Sequence, residues 1–259
     1  MSDTGKGESR PRICIRAARS LADLYHLLRQ KTTVVLTALL AVGVATVLWH
    51  LSWTTSKLVE MTILQSAERY SQALTEIRTL YTSEVVARVR DHGIEVTHDY
   101  RAREGAIPLP ATLSMMLGEH LGRESPGMQV KLYSPHPFPW RQPTGGLRDE
   151  FGVDAWAFFE QHSDRPFYRF ETLLGRRILR YATADLMRAE CINCHNTHPD
   201  TPKDDWRTGD VRGVLEIALP IDGIEAETRD ELHSTFALIG AMSLLGLSGL
   251  ALVNPSANI

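Results

Sequence analysis

Two cysteines and a histidine stand close together in the segment CINCH, residues 191–195. Cys191 and Cys194 are three residues apart, and His195 follows directly. On a helical turn, side chains three and four positions apart share one face, so both sulfur atoms and the imidazole can reach the same flat ligand. In c-type haem attachment, two thioethers fix the porphyrin and the adjacent histidine binds the iron. The spacing therefore predicts one covalently attached haem c.

Three other uses of this segment are weaker alternatives. A structural zinc site needs four closed ligands, and Cys191, Cys194, His195 and His198 stand in too short a stretch to wrap a tetrahedron. A thioredoxin-like redox pair is expected in a βαβ setting, which the sequence does not show. A disulfide between the two cysteines would close a very small loop with little entropic benefit.

Two apolar runs flank the region that contains this segment. Residues 33–53 carry His50 as their only ionisable side chain and are long enough to cross a bilayer as a helix. Trp49 and Trp53 would lie at the membrane interface. Residues 236–253 contain no charged residue and are close to the minimum length for a span. The sequence thus predicts two transmembrane helices.

Charge asymmetry predicts the orientation of these helices. Residues 1–31 hold seven lysines and arginines against three acids, and a basic flank stays on the cytoplasmic side. We therefore expect the inner membrane of a bacterium, with residues 54–233 in the periplasm and Cys14 inside as a reduced thiol. A cleaved signal peptide is disfavoured because no small-residue cleavage site follows the first run. The acidic outer region argues against nucleic-acid binding.

A long helix is predicted directly after the first span. Apolar residues recur at spacings of three and four, which indicates one helical face that either packs on its own domain or forms a dimer seam. The residues of this predicted face are Leu58, Met61, Leu64, Leu74, Ile77, Tyr81 and Val85.

The remaining pattern between the spans predicts an α+β domain. A short helix over residues 113–121 should end at Gly122, and a strand should begin at Met128, followed by the irregular, proline-rich loop SPHPFPW. Residues 149–162 are typical of a helix, a hairpin is expected around Gly175, and residues 211–220 alternate as a strand. Asp222 is a plausible N-cap for a final helix. The predicted domain is therefore an antiparallel sheet that is covered by helices on one side.

At this point the chain resembles a known family. GRRILRYATADLMRAECINCHNTHPD, followed by GDVRGVLEIALPID, is similar to bacterial single-haem c-type sensor domains that lie outside the membrane ahead of adenylate cyclases, histidine kinases and chemotaxis transducers. The resemblance covers residues 54–233 with the flanking membrane helices, and includes GAIPLPATL and LYSPHPFPWR. It implies a PAS-like fold, with Cys191 and Cys194 as thioether residues and His195 as proximal ligand. Unlike those relatives, the sequence shows no cyclase, kinase or chemotaxis domain.

No motif fixes the sixth ligand of the iron. Some relatives use a cysteine, but Cys14 is expected across the membrane. His98 is the first candidate, because it precedes the GAIPLP turn that the resemblance places near the haem; its alternative is a solvated loop histidine. Met187 is the second, although a methionine four residues before Cys191 is more often core packing.

Two further residues have weaker assignments. Arg141, in PFPWRQ, could pair with a haem propionate through charge-assisted hydrogen bonds, or be an exposed arginine. His198, followed by Pro199, is expected to shape the loop after the haem turn.

These observations combine into one organisation of the chain. Residues 1–31 are a cytoplasmic basic tail, 32–53 the first transmembrane helix, 54–233 an extracytoplasmic PAS-like haem domain, 234–254 the second transmembrane helix and 255–259 a short tail. The fold class is α+β, an antiparallel sheet with flanking helices between two spans.

The function expected from this organisation is that of a redox or gas-ligand sensor. A second copy of the chain or another membrane protein would have to relay the signal. The alternative is an electron-transfer or accessory haem subunit of a respiratory or photosynthetic membrane complex. An enzyme is not expected, because no paired carboxylates or nucleophile constellation accompanies the haem motif.

Overall fold

The computed structural model of the chain describes residues 11–124, 127–173 and 175–253. Short 3₁₀ turns occupy Tyr100–Ala102 and Pro139–Arg141, and a π-helical turn covers Tyr81–Val86. The helices and strands follow in this order: α1 Pro11–Leu80, α2 Ala87–Arg90, β1 Val96–Thr97, β2 Ile107–Pro108, α3 Pro110–Glu124, β3 Gln129–Tyr133, α4 Gln142–Gly145, α5 Glu150–Phe159, β4 Phe167–Leu173, β5 Arg176–Leu186, α6 Ala189–Thr197, β6 Val211–Pro220 and α7 Asp222–Val253.

The chain divides into two compact units. One holds the chain ends, up to Lys57 and from Glu227, and the other is the domain Leu58–Ala226. Among the described residues, one helical stretch, Val34–Arg90, which starts within α1, is long and apolar enough to cross a membrane. Within α7, the stretch Leu232–Gly246 of the described residues is a shorter apolar helix. A membrane anchor near the N-terminus is therefore supported, and the second span and the orientation stay predictions.

The domain is built on a four-stranded antiparallel sheet of order β3-β6-β5-β4. Strands β4 and β5 form the predicted hairpin, in which Gly175 adopts a φ of 77°, a conformation that glycine tolerates without steric cost. The centre of the sheet is the β5–β6 pair, with Tyr181 opposite Ile217. The α+β class and the antiparallel sheet predicted from the sequence are confirmed.

Helices cover both faces of this sheet, whereas the sequence predicted helices on one side. Successive side chains of a strand point to opposite faces, and β6 is buried from Gly213 to Leu219 without interruption. One face packs Leu179, Leu215 and Ile217 against α1 and α3. The other packs Ala182 and Val214 against α5. The prediction of helices on one side failed because β5 and β6 carry Arg180 and Glu216, which form a buried ion pair. Charged residues on a strand normally indicate a solvent-exposed face, but here that face is covered.

The packed face of α1 contains only part of the predicted one, since Leu74 is buried and Leu64 packs against the core. Leu58, Met61 and Ile77 are exposed rather than packed on the sheet. The buried positions recur every three or four residues on a neighbouring face, and they are Ile63, Ala67, Ser71, Leu74 and Arg78. This face includes a small, a hydroxyl and a charged residue, so a search for large apolar side chains passes over it.

Two smaller differences and one agreement complete the comparison with the sequence pattern. Helix α3 continues past Gly122 to Glu124, and a Cβ at Gly122 would lie 2.7 Å from the carbonyl oxygen of Met128, so this glycine permits a close approach instead of ending the helix. The short parallel pair β1–β2 was not predicted. Helix α7 begins at Asp222, whose carboxylate accepts hydrogen bonds from Arg176 Nε (2.9 Å) and the Arg177 amide (2.8 Å) of the hairpin.

Candidate functional site

Helix α6 carries the CINCH segment. Cys191, Cys194 and His195 lie on this nine-residue helix, and both cysteine thiols are free and half-buried. The residues before and after this segment are hydrogen-bonded to each other. The Met187 amide donates to the Asp210 carbonyl (2.8 Å), and the Gly209 amide donates to the Met187 carbonyl (2.9 Å). The two sulfur atoms and the imidazole are thus presented from one short, anchored turn.

The loop after α6 is fixed by side-chain bonds to the helix. The side-chain amide of Asn196 donates to the Trp206 carbonyl (3.0 Å) and accepts from the Trp206 amide (3.1 Å). The Thr201 hydroxyl donates to the carbonyl of His195 (2.6 Å). His198, expected to shape this loop, does so through Nδ1, which accepts from the Asp200 amide (3.1 Å). These contacts hold the C-terminal end of α6 in place.

A cavity of about 230 Å³ opens beside α6, and Cys191, Cys194 and His195 all line it. On the side of the long N-terminal helix the lining residues are Arg78, Thr82, Val86 and Arg90. These four residues are spaced four apart, and in an α-helix of 3.6 residues per turn such positions rotate gradually away from one face. The wider π-helical turn Tyr81–Val86 reduces this drift and keeps all four side chains on the cavity, which agrees with the frequent use of π-turns at functional sites.

Aromatic rings from the proline-rich loop form another wall of the cavity. Phe138 and Trp140 stack with 4.6 Å between their ring centroids. His195 meets the Phe138 ring edge-on at 5.3 Å, and His198 contacts both aromatic rings. His98 stacks on Trp140 at 4.3 Å with the ring planes 6° apart. The structure therefore brings His98 to the same cavity as His195, although 97 residues of sequence separate them.

The other two sequence candidates have different surroundings. Met187 is 1% exposed and is not among the described residues that line the cavity, which matches the core-packing alternative. Arg141 does line the cavity and is half-buried, but its Nη2 donates to the carbonyl of Leu132 (2.8 Å). Burial lowers the pKa of Arg141 from its ordinary value. Arg141 thus has both a structural bond and access to the cavity.

Three charged residues that the sequence did not indicate connect this cavity to the sheet. Asp185 on β5 is buried and accepts hydrogen bonds from Arg78 Nη2 on α1 and from Arg212 on β6, whose Nε lies 3.1 Å away. Arg212 Nη1 also lies 2.9 Å from Nε2 of His195. Arg78, Asp185 and Arg212, named here the Arg78 cluster, connect His195 to α1.

The charges of the Arg78 cluster are not balanced. Burial opposes ionisation of Asp185, but Arg212 and Arg78 hold the pKa of its carboxyl below the usual range. Burial also lowers the pKa of Arg78. Burial, and then the positive charge of Arg212, lower the pKa of His195 to about 4. His195 is therefore a neutral imidazole at neutral pH, the form that binds metals, and its Nε2 accepts from Arg212.

These residues fit a covalently held haem better than the alternatives. The thiols are free rather than joined in a disulfide, and the sheet is antiparallel rather than part of a βαβ unit. Among the described residues, no three His, Cys, Asp or Glu side chains gather as ligands of one metal ion, so the four-ligand zinc arrangement is not formed. A haem needs two accessible thiols, a neutral histidine, apolar walls and cations for its carboxylates, and the cavity offers each of these.

The sequence held one signal for the residues that were missed. Arg78 follows Leu74 by four positions, and Leu74 follows Ser71 by three, so a helical wheel centred on Ala67 would have placed Arg78 on the buried face. Asp185 and Arg212 carry no such signal. They meet only because β5 and β6 are paired near Asp185 and Gly213.

Comparison with known proteins identifies the family of this chain. A family model described as Tll0287-like matches residues 56–220, more than half of the chain. Neither the curated proteins nor the solved structures provide a significant match. The matched range contains the sheet, the cavity and the whole CINCH segment.

Proposed function

The chain belongs to the Tll0287-like family of PAS-like, c-type cytochrome sensor domains, and from this membership we propose that it is a membrane-anchored haem c sensor. The observation that carries the proposal is the placement of Cys191, Cys194 and His195 on one helix that lines a cavity. An N-terminal helix that can cross a membrane supports the anchored state. The domain would work on the periplasmic side.

Three residues of α6 would bind the haem in this function. Cys191 and Cys194 would hold the porphyrin through thioether bonds, and His195 would bind the iron through a ring nitrogen. Bound haem supplies an iron whose oxidation state and axial ligands respond to redox conditions or to small gases. Nε2 of His195 accepts a hydrogen bond from Arg212 Nη1 (2.9 Å), so iron binding through this nitrogen would require that hydrogen bond to break.

His98 is the sixth ligand that the arrangement favours. Its ring lines the same cavity as His195 and is oriented by stacking on Trp140. Met187 is fully buried in the core and would have to leave it to reach the cavity. Substitution His98→Ala should convert a low-spin haem spectrum into a high-spin or ligand-accepting one. An unchanged spectrum would remove His98 from the site.

Signal output would pass through α1, which lines the cavity at Arg78. A second copy of the chain or another membrane protein is the expected partner. The described stretch of α1 beyond Lys57 exposes apolar side chains, including Leu58, Met61, Ile77 and Leu80, as the dimer-seam hypothesis requires. If a seam forms there, a cysteine introduced at the exposed Glu76 should cross-link to different extents in the oxidised and reduced protein. Identical cross-linking in both states would favour the electron-carrier alternative.

Covalent haem attachment is the direct test of the proposal. The full chain, produced with a c-type haem maturation system, should keep haem on a denaturing gel and give a pyridine haemochrome spectrum typical of two thioethers. The variants Cys191→Ser and Cys194→Ser should each show the spectrum of one thioether, and the double variant should lose covalent haem.

A matched control separates attachment from folding. Thr197→Ser, on the same helix and outside the motif, should leave the haem content unchanged, since it keeps the hydroxyl that donates to the Asn193 carbonyl. Haem that acid-acetone extracts from the parent protein, or zinc in place of iron, would refute the proposal.

A further inference from the structure

Arg78 has an unusual combination of burial and missing partners. Its side chain is 3% exposed, and its Nε and Nη1 atoms have no hydrogen-bond partner among the described residues, while Nη2 bonds Asp185. Buried polar groups in folded proteins are almost always hydrogen-bonded, and a charged group left unsatisfied costs more than a neutral one. An arginine in this state is therefore expected to have a partner that is not part of the protein.

The position of Arg78 indicates where that partner enters. Arg78 lines the cavity together with the cysteines of α6. The cavity lining includes five arginines, Arg78, Arg90, Arg141, Arg188 and Arg212, against the carboxylate of Glu190. Asp185, the buried anion behind them, is shared by Arg78 and Arg212. One negative charge is missing from the Arg78 cluster, so the partner must be anionic.

The chemistry of the donors defines the class of anion. A guanidinium offers planar N–H groups that match the two oxygens of a carboxylate, and such charge-assisted bonds are short and strong. The neighbouring walls of the cavity are apolar or aromatic, with Val86, Leu109 and Phe138 among them. A carboxylate attached to an apolar body therefore fits better than a bare inorganic ion.

We propose that the Arg78 cluster is a carboxylate-binding site, in which Arg78 donates from Nε and Nη1 to the carboxylate of a ligand in the cavity. In the haem-loaded protein this carboxylate is a haem propionate, and that part rests on the proposed function. In a protein without haem, the same site takes a free aliphatic carboxylate. Arg141, which already bonds the Leu132 carbonyl, is not the principal contact.

The haem-loaded arm of the test is infrared spectroscopy on the full chain in detergent. Protein made with carboxyl-¹³C-labelled 5-aminolevulinate carries the label in its haem propionates, which separates their bands from those of Asp and Glu. In oxidised-minus-reduced difference spectra, Arg78→Met should shift the labelled carboxylate bands relative to the parent protein. Arg78→Lys keeps the charge, so its bands should lie closer to those of the parent. Arg103→Met, which removes an exposed arginine that is paired with Asp99 and Glu95, is the matched control and should leave the bands unchanged.

The haem-free arm uses Cys191→Ser/Cys194→Ser protein and calorimetric titration with sodium propionate. Propionate should bind at least about tenfold more weakly when Arg78→Met is added, because a charge-assisted hydrogen bond is lost. Arg103→Met should bind as the parent does. Arg78→Lys shows whether loss of binding reflects the missing charge or a misfolded protein, since it retains a cation at this position.

The two arms distinguish this proposal from the proposed function. Labelled bands that shift in Arg78→Met and stay unchanged in Arg103→Met support a propionate contact, and Arg78-dependent binding in the haem-free arm alone supports a free carboxylate ligand. If the parent carries no haem, the proposed function fails and the haem-free arm decides on Arg78. Bands and propionate affinity that are both unchanged in Arg78→Met, or that change in Arg141→Met instead, would overturn the carboxylate site.

Discussion

Two buried arginines of this domain, Arg78 and Arg180, have opposite surroundings. Arg180 binds Glu216 through Nε (2.8 Å) and Nη2 (2.9 Å), lies 2.8 Å from Asp149 and packs over the ring of Phe151. Tyr133 completes this group, named here the Arg180 cluster, by donating to Glu216 (2.8 Å). In the Arg78 cluster two arginines share one carboxylate, and two nitrogens of Arg78 have no partner among the described residues.

The comparison separates a structural network from a binding network. A fully satisfied buried network rigidifies a core, whereas a partly satisfied one is costly unless something completes it. The Arg180 cluster joins α5 to the sheet and does not line the cavity; the Arg78 cluster joins α1 to the sheet and does. Burial alone therefore does not mark a functional arginine, and the difference lies in whether the protein itself supplies the counter-charge.

The largest effect is expected from Asp185→Asn. This change leaves Arg78 and Arg212 buried without an anion, and removing one partner of a buried ion pair costs about 3–5 kcal/mol. The free energy of unfolding, measured by urea titration of the full chain in detergent and followed by tryptophan fluorescence, should fall by that amount. Asp154→Asn, which breaks the exposed pair with Arg169, should cost less than about 1 kcal/mol. Equal losses in the two variants would contradict the central role of Asp185.

A pH dependence should follow from His195 in the haem-free Cys191→Ser/Cys194→Ser protein. Burial and Arg212 lower the pKa of His195 from 6.5 to about 4, so the unfolded chain takes up a proton first as the pH falls. Stability should therefore decrease between pH 6.5 and pH 4, by up to about 3 kcal/mol, and this contribution should level off below pH 4. The pKa of Asp185 is also lowered, so its contribution is lost at more acidic pH.

His195→Gln is the control for this pH dependence. A neutral side chain at this position has no proton to gain, so the decrease between pH 6.5 and pH 4 should shrink while the acid loss from Asp185 remains. A slope that is the same with and without His195 would assign the effect to another group.

A smaller loss is expected from Glu216→Gln in the Arg180 cluster. Arg180 keeps Asp149 at 2.8 Å, and the amide oxygen of glutamine can still accept from Tyr133. Loss of a charge-assisted bond without loss of all partners should cost about 2 kcal/mol, measured by the same urea titration. A loss greater than that of Asp185→Asn would break the proposed contrast between the two clusters.

The smallest effect is expected from Ser71→Ala on α1. The hydroxyls of Ser71 and Thr183 lie 2.8 Å apart and form a neutral contact between α1 and β5. Its removal should cost about 1 kcal/mol in the same titration, the usual value for one uncharged hydrogen bond. A loss as large as that of Asp185→Asn would mean that the Ser71–Thr183 contact holds α1 to the sheet as strongly as the Arg78 cluster does.

Local patterns of the sequence were enough for most elements of the fold. The hairpin around Gly175, strand β6 and helix α5 follow from alternation, turn residues and helical spacing within short windows. The sequence placed Leu64 and Leu74 of α1 on a helical face that packs on the core, but it missed Ala67, Ser71 and Arg78, which are buried although none is a large apolar residue. The spacing of apolar residues predicts a helix, but which face is buried depends on the residues of the sheet that pack against it.

The sequence by itself determined that Cys191, Cys194 and His195 lie on one helical turn, because residues this close along the chain need no distant residue to bring them together. It also offered His98 and Arg141 as candidates for the surroundings of the predicted haem, and both line the cavity. Only the tertiary structure decided that Arg78, Asp185 and Arg212 meet, because they come from α1, β5 and β6 and carry no common pattern. Strand pairing and helix packing create such long-range contacts, and a buried charge shows whether it lacks a partner only when all of its neighbours are in place.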